Sequence, residues 1–294
     1  MIANLDHDDR PLAPGLYLVA TPIGNLEDIT LRALRVLRKA DRIACEDTRQ
    51  TQKLLNHFEI RTSTVSYHMH NEGSRTEELI AELKTGARIA VVSDAGTPGI
   101  ADPGRQIVAA ALAAGVDVFP IPGANAAISG LIASGLTTEQ FTFHGFLPAK
   151  AGQRKTALES LVRGDLTHVF YEAPHRIVDT LADIDAVLGP KQHVVIAREL
   201  TKMHEEFLRG TVEDLRSQLS ARASVRGEIV LMFTLAAAES VSENKKTSLA
   251  AEVAALIKSD GISEMDALKR VARERGIGKS EAYRELQREQ NRLR

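Results

Sequence analysis

Tryptophan is absent, cysteine occurs once, and aromatic residues make up only 4% of the 294 residues. A single Cys45 excludes an intrachain disulfide and fits a reducing compartment, where it is expected as a small buried apolar residue rather than a reactive thiol. Long apolar runs are missing too. Windows such as IVAAALAAG (107–115) fall well short of the ~20 residues that cross a bilayer. The opening MIANLDHDDRPLAPG is polar, acidic and proline-bearing, so it reads as a loose tail (1–14) and not as a leader. These absences together predict a soluble, cytoplasmic protein with no membrane partner. An excess of charge is also lacking. The 37 Lys and Arg nearly cancel the 39 Asp and Glu, leaving −2, so any nucleic-acid contact must come from local basic patches rather than from the net field.

What is present is a pattern of alternation. The length exceeds one typical domain, and 44% apolar with 26% charged residues suits sizeable cores. From Gly15, strand-like runs (GLYLVA, DRIACE, STVSYH, ARIAVV, VDVFPIPG) alternate with helix-like ones (DITLRALRVLRKA, TRQTQKLLNHF, SRTEELIAELKTG, RQIVAAALAAG). Such alternation predicts a mostly parallel sheet covered by helices on its faces, over 15–122. Asp102-Pro103 reads as an N-cap followed by proline at the first helical position, and Gly115 as the glycine that ends that helix.

A second α/β region, 123–237, opens with the helix ANAAISGLIASG. FTFHGFLP, LTHVFYEAP, HVVIAREL, EEFLRGT and EIVLMFT read as strands, with three helices among them. Two successive strands near Arg198–Thr211 predict a hairpin, so this half is α+β. Residues 238–248 read as a linker. The segment 249–294 reads as a small helical unit broken at SDG and GIGKS. From Lys269 to Arg294 it carries nine Lys and Arg against four Glu. It is either a solvated helical arm or a basic helix-turn-helix that touches nucleic acid, and the charge pattern leaves both open.

Ligands of open α/β sheets bind beyond the carboxyl ends of the strands. Three stiff loops of the first half sit there: TPIGN (21–25), SDAGTPGIADPG (93–104) and PIPGANA (120–126). None carries a Gly-Lys-Ser/Thr phosphate loop or a G-x-G-x-x-G dinucleotide fingerprint. SDAGTPGIADPG has no lysine and two aspartates, so it would repel an anion. Asp94 suits ribose hydroxyls, an amine or a cationic sulfur, and S-adenosylmethionine presents all three. The alternative is a rigid turn that only orients the following helix. Polar clusters at other strand ends are further candidates: Cys45-Glu46-Asp47-Thr48-Arg49, Tyr171-Glu172-Ala173-Pro174-His175-Arg176, and His204-Glu205-Glu206 after RELTK. Glu172 and His175 could equally cap a helix. His68-Met69-His70 could offer two imidazoles on one strand face, but no third ligand follows at a recognisable spacing. Lys150, Arg154 and Lys155 form a basic loop near Phe141, Phe143 and Phe146, suited to phosphates and a splayed base, or simply solvated.

TPIGNLEDIT, CEDTR, SDAGTPGIADPG, PIPGANA, HGFLP, YEAPHR and RELTKMHEE follow one another over residues 15 to about 235. Together they resemble the tetrapyrrole-methylase-type (class III) S-adenosylmethionine-dependent methyltransferases, and within them the branch acting on small-subunit ribosomal RNA. The resemblance implies two α/β domains with the methyl donor in the cleft between them, a small C-terminal helical domain, and a homodimer. It implies 2′-O-methylation of a decoding-centre cytidine in 16S rRNA, in free rRNA or in the 30S subunit, with no metal. Donor contacts are implied at Pro22, Ser93, Asp94, Ala95, Gly96, Ile100, Asn125, Ala126, Tyr171, Glu172, Leu200 and Gly227. Candidates for accepting the hydroxyl proton are Glu46, Asp47 and Glu172, with Arg49, Arg176 and Lys202 holding phosphates or the nucleophile. RNA contacts are expected at Lys150, Arg154, Lys155, Lys269, Arg270 and Arg273. The tetrapyrrole branch opens with a glycine-rich turn where this chain has TPIGN, which counts against a macrocycle. Two rival readings remain: a small-molecule methyltransferase of the same fold, and a DNA-binding regulator with an α/β sensor body.

Overall fold

The computed structural model describes residues 11–235, 249–261, 263–274, 282–284 and 286–287. The expected linker (238–248), the GIGKS break and most of the expected tail (1–14) therefore lie outside the described residues. Two compact units emerge, one ending at Leu235 and one formed by the C-terminal residues. Both sheets belong to the first unit.

The first sheet contains β1 (Gly15–Val19), β2 (Arg42–Cys45), β3 (Thr64–Ser66), β4 (Arg88–Val92) and β5 (Val118–Ile121), in the order β3-β2-β4-β1-β5. Every pairing in it is parallel. Strands buried on both faces read as unbroken apolar runs, and Ile89, Ala90, Val91 and Val92 of β4 are all buried. Pro120, which cannot donate to a ladder, sits in the edge strand β5.

Helices cover both faces. On one, Ala33, Leu34, Val36 and Leu37 of α1 (Leu31–Lys39) and Leu55 of α2 (Thr48–His57) pack against Val19, Ile43 and Ala90. On the other, Leu79 and Leu83 of α3 (Glu72–Lys84) and Ile107 and Ala111 of α4 (Arg105–Ala113) pack against Leu16, Ala44 and Ile89. Cys45 is buried in the first of these cores.

One expected boundary moves. The helix α4 begins at Arg105 with Gly104 as its N-cap, so Asp102 and Pro103 are not its cap and first residue. Gly99 donates its N–H to the Pro103 carbonyl, curling 99–103 into a tight loop. Gly104 then has φ 142, which only glycine adopts easily. The loop needs that turn before the chain can enter the helix. Gly115, with φ 71, follows its end.

The second sheet contains β6 (Phe141–Phe146), β7 (Thr167–Glu172), β8 (His193–Arg198), β9 (Glu206–Thr211) and β10 (Ile229–Thr234), in the order β6-β7-β10-β8-β9. Only β6 and β7 are parallel; β8 and β9 form the expected hairpin. Helices α6 (Ala151–Glu159), α7 (Ile177–Leu188) and α8 (Val212–Ser220) build the core on one face. Helix α5 (Ala126–Ser134) covers the other with Ala127 and Leu131, against Val169, Val195, Val230 and Met232.

In the C-terminal unit, α9 (Leu249–Asp260) and α10 (Glu264–Glu274) share a small core of Leu249, Val253, Leu268 and Val271. Among the described residues no helix is long and apolar enough to cross a membrane.

Candidate active site

The loops after β1 and β4 are tied together at the carboxyl edge of the first sheet. Thr21 and Gly96 exchange both backbone hydrogen bonds, at 2.9 and 3.1 Å. Gly96 has φ 81, and a side chain there would press on Ile23, so the close approach depends on glycine. Beneath them Ser93 is buried, its hydroxyl directed at the carbonyls of Ala95 and Gly96. The third loop joins through Thr97, whose hydroxyl donates to the Ala124 carbonyl and accepts from the Asn125 amide. Asn125 in turn caps α5, its side-chain oxygen accepting the Ile128 N–H.

Between these loops and the second sheet lies a cleft of about 380 Å³. One wall carries Asp94, Ala95, Gly96, Thr97, Ile100, Ala101 and Asp102. The other carries Tyr171, Glu172, Leu200, Glu228, Ile229 and Val230, with Ile23, Asn125, Ala126 and Phe146 completing it. Nine of the twelve expected donor contacts, all but Pro22, Ser93 and Gly227, line the cleft. Pro22 and Ser93 lie in the loops that build it. Gly227 packs against the Glu199 side chain with φ 90, so its place is structural and its neighbour Glu228 lines the cleft instead.

Asp102 and Phe146 also line the cleft, although the sequence points Asp102 to a helix cap and Phe146 to the basic loop. An aspartate before proline fits the grammar of a helix cap equally well, which masks the place of Asp102 in the cleft. Phe146, over half exposed, leans edge-on against Tyr171 at 5.7 Å between ring centres. Its place as the last apolar residue of a strand was the available signal.

The electrostatics are one-sided. Burial pushes the Asp102 carboxyl up to about 6, the Glu46, Asp94 and Glu228 charges add to the rise, and the Ser93 hydroxyl opposes it. Glu46 is also raised, by burial and by Asp94, against the pull of His68. Tyr171 is raised by burial first. Asp94 and Asp102 therefore stand close together on the first wall, with Glu46 near them outside the lining of the cleft. Glu228 accepts from Lys202 Nζ at 3.1 Å, and that lysine is shared with Glu199 at 2.8 Å.

The remaining candidates are engaged within the protein. Asp47 caps α2 through the Arg49 N–H and clasps the Arg49 guanidinium, whose hydrogen bonds hold its carboxyl down at about 2. That makes Asp47 a poor proton acceptor, and Arg49 is its partner. The Glu172 side chain is fully buried. It accepts from Thr180 at 2.6 Å, the Ala173 N–H at 2.7 Å and Arg176 at 2.9 Å, so the Glu172–Arg176 pair anchors α7. Glu206, in the polar cluster after RELTK, is held between Arg222 and Arg198, which pull its carboxyl down to about 2.

The basic loop also resolves differently. Lys150 is the N-cap of α6, and Arg154 is buried, bonding Asp183 at 2.6 Å and the Pro148 and Ala149 carbonyls. Arg154 is thus a structural cation and not an RNA contact. Lys150 is exposed, and Lys155 is half-buried, lying 3.5 Å from Asp183. In the C-terminal unit Lys269 and Arg270 are exposed on α10; the Arg273 side chain lies outside the described residues. His68 and His70 stand 5.9 Å apart by ring centres, and among the described residues no cluster of three metal-ligating side chains occurs.

Residues 15–216 match the family Tetrapyrrole (Corrin/Porphyrin) Methylases. A protein of Halalkalibacterium halodurans named Ribosomal RNA small subunit methyltransferase I is 50% identical over 271 residues, covering 91% of this chain and 93% of that one. A protein of the same name from Synechocystis is 46% identical, covering 91% and 95%. The solved structure of uroporphyrin-III-C-methyltransferase from Thermus thermophilus superposes with a TM-score of 0.53 at 22% identity, over 75% of this chain and 94% of that one, a likeness of fold alone. The chain belongs to the tetrapyrrole methylase family.

Proposed function

From that membership we propose that the chain transfers a methyl group from S-adenosylmethionine to the ribose 2′-oxygen of a decoding-centre cytidine in 16S rRNA, assembled in the 30S subunit. The observation that carries the donor half is the cleft, where Asp94 and Asp102 on one wall face Glu228 and a run of apolar residues on the other. A ligand with a sulfonium and an ammonium group lowers the repulsion among Asp94, Asp102 and Glu46, while Ile23, Leu200, Ile229 and Val230 offer flat apolar surface to an adenine. The acceptor half is supported by near-full-length identity to relatives whose names specify small-subunit rRNA.

When bound, the donor supplies a methyl group already activated on sulfur, so the protein's task is alignment and proton removal. Asp94 faces the cationic part, and the Asn125–Ala126 turn and Gly96 present backbone groups beside it. Glu172 and Arg176 act by holding the start of α7 in place, and Lys202 by holding Glu228. Exposed Lys150, Lys269 and Arg270, with half-buried Lys155, meet the phosphates of the rRNA. The enzyme works as a homodimer in the cytoplasm. Labelled S-adenosylmethionine, incubated with unmethylated 16S rRNA and separately with 30S subunits, yields labelled 2′-O-methylcytidine from the subunits. Donor binding without that nucleoside in either sample refutes the rRNA acceptor and favours a small-molecule one.

A further inference from the structure

A second concavity adjoins the cleft. It is an open groove of about 610 Å³ between the loop before α3 and the first turns of α4, lined by Met69, Glu72, Arg105 and Gln106. Ala101 and Asp102 belong to the walls of both spaces. The geometry points to Asp102 as the base that takes the proton from the attacking 2′-hydroxyl, with the acceptor nucleotide seated in the groove on its far side. The assignment rests on the methyl-transfer reading above.

Elimination among the carboxylates supports it. Asp94, Glu172 and Glu228 line only the donor cleft, and the last two are bonded to Arg176 and Lys202. Glu72 lines only the groove, where it accepts from the Tyr67 hydroxyl at 2.9 Å and lies 3.4 Å from the Gly104 N–H. Glu46 and Asp47 line neither. Among the described carboxylates Asp102 alone lines both the cleft and the groove.

Its placement is fixed by the backbone. Ala101 has φ 63, a left-handed conformation unusual for a residue with a side chain, and Gly99 and Gly104 with positive φ flank it. The facing charges are Glu46, Asp94 and Glu228, with the Ser93 hydroxyl beside them. They make Asp102 a stronger base than an ordinary aspartate, while the cationic donor keeps it ionised at neutral pH. The groove fits a nucleotide: Met69, over three-quarters exposed, offers a polarizable surface to a base, and Arg105 a charge to a phosphate. In the step itself the 2′-oxygen bonds to the methyl carbon and the carbon–sulfur pair stays on sulfur, giving a neutral thioether. The hydroxyl proton passes to the Asp102 carboxylate.

The test measures single-turnover methylation of 30S subunits by wild-type protein, Asp102→Asn and Asp102→Glu across pH 5–9, with donor affinity by calorimetry. Expected for Asp102→Asn is a rate loss of about 10²–10⁴-fold that exceeds any loss of donor affinity by about tenfold or more. The acid limb of the wild-type rate profile disappears in that variant, and Asp102→Glu retains partial activity with a displaced limb. Activity of Asp102→Asn within about threefold of wild type overturns the assignment. So does a rate loss matched by an equal loss of donor affinity, or a wild-type profile with no acid limb, which needs no variant to fold. If wild-type protein binds donor but modifies no subunit, the acceptor reading itself fails and the assignment goes with it, a pattern distinct from failure of the variants alone.

Discussion

The two walls of the cleft treat charge in opposite ways. Behind the second sheet carboxylates hold internal cations: Asp183 has Arg154, Glu172 has Arg176, and Glu206 has Arg198 and Arg222. On the loops of the first sheet Glu46, Asp94 and Asp102 stand near one another: Glu46 is raised by burial and by Asp94, and Asp102 by burial and by the charges of Glu46, Asp94 and Glu228. Paired ions hold a fold together. Acids crowded without a cation raise the free energy of the empty site, and a cationic ligand recovers it. A charge at a strand end is therefore ambiguous until its partner is known.

The largest expected effect breaks a pair. Arg154→Ala leaves Asp183 buried without its main cation and is expected to cost about 3–5 kcal/mol of stability, measured by urea unfolding. Lys155, at 3.5 Å, compensates little because its side chain is nearly half exposed. Donor affinity of the folded variant stays unchanged. A variant of full stability with weakened RNA binding would move Arg154 to the other class.

Next comes the crowded wall. Asp94→Asn removes a charge but keeps the oxygen that accepts the Asp47 N–H at 3.0 Å. It is expected to lower donor affinity about 10–100-fold, or roughly 1.4–2.7 kcal/mol, with little change in melting temperature. Calorimetric titration with the donor decides this; unchanged affinity would mean that the wall does not face the cationic group.

Asp102 gives a smaller effect of opposite sign on stability. Its carboxyl is raised from an ordinary 3.8 to about 6 in the folded protein. The folded state therefore holds the proton more tightly than the unfolded chain. The stability this contributes is complete below about pH 4 and lost as pH rises through about 6. Asp102→Asn, which cannot ionise, is expected to stabilise the donor-free protein by about 1 kcal/mol at pH 8, after discounting for solvent screening, and not at pH 4. Thermal melts at the two pH values compare the variants. Equal shifts at both would place the effect in packing rather than in ionisation.

The strands of both sheets and nearly all their helices are legible because their signals are local. After Arg88 the strand IAVV is apolar throughout, and Ile177, Leu181 and Ile184 repeat at helical spacing. The donor loops are legible because glycine and proline mark them. Partnership was not legible. Arg154 and Asp183 lie 29 positions apart, and only the packing of α6 on α7 joins them. Asp102 was misplaced because Asp-Pro suits a helix start, while the positive φ of Gly104 delays the helix by two residues. Glu228 enters the cleft only because β10 runs between β7 and β8.

The smallest effect concerns the surface cations, where pairing and ligand binding differ least. Lys150 is exposed at the head of α6. A lysine that contacts a phosphate only as a point charge contributes through counterion release, so its loss weakens binding modestly and across all sequences alike. Lys150→Ala is thus expected to reduce the salt dependence of 30S binding by about one ion, with stability within about 0.5 kcal/mol of wild type. Filter binding over a salt series measures the slope. An unchanged slope would assign Lys150 to solvent and leave Lys155, Lys269 and Arg270 to meet the rRNA, while a fall in stability would mean that even this exposed lysine belongs with the ions that build the fold.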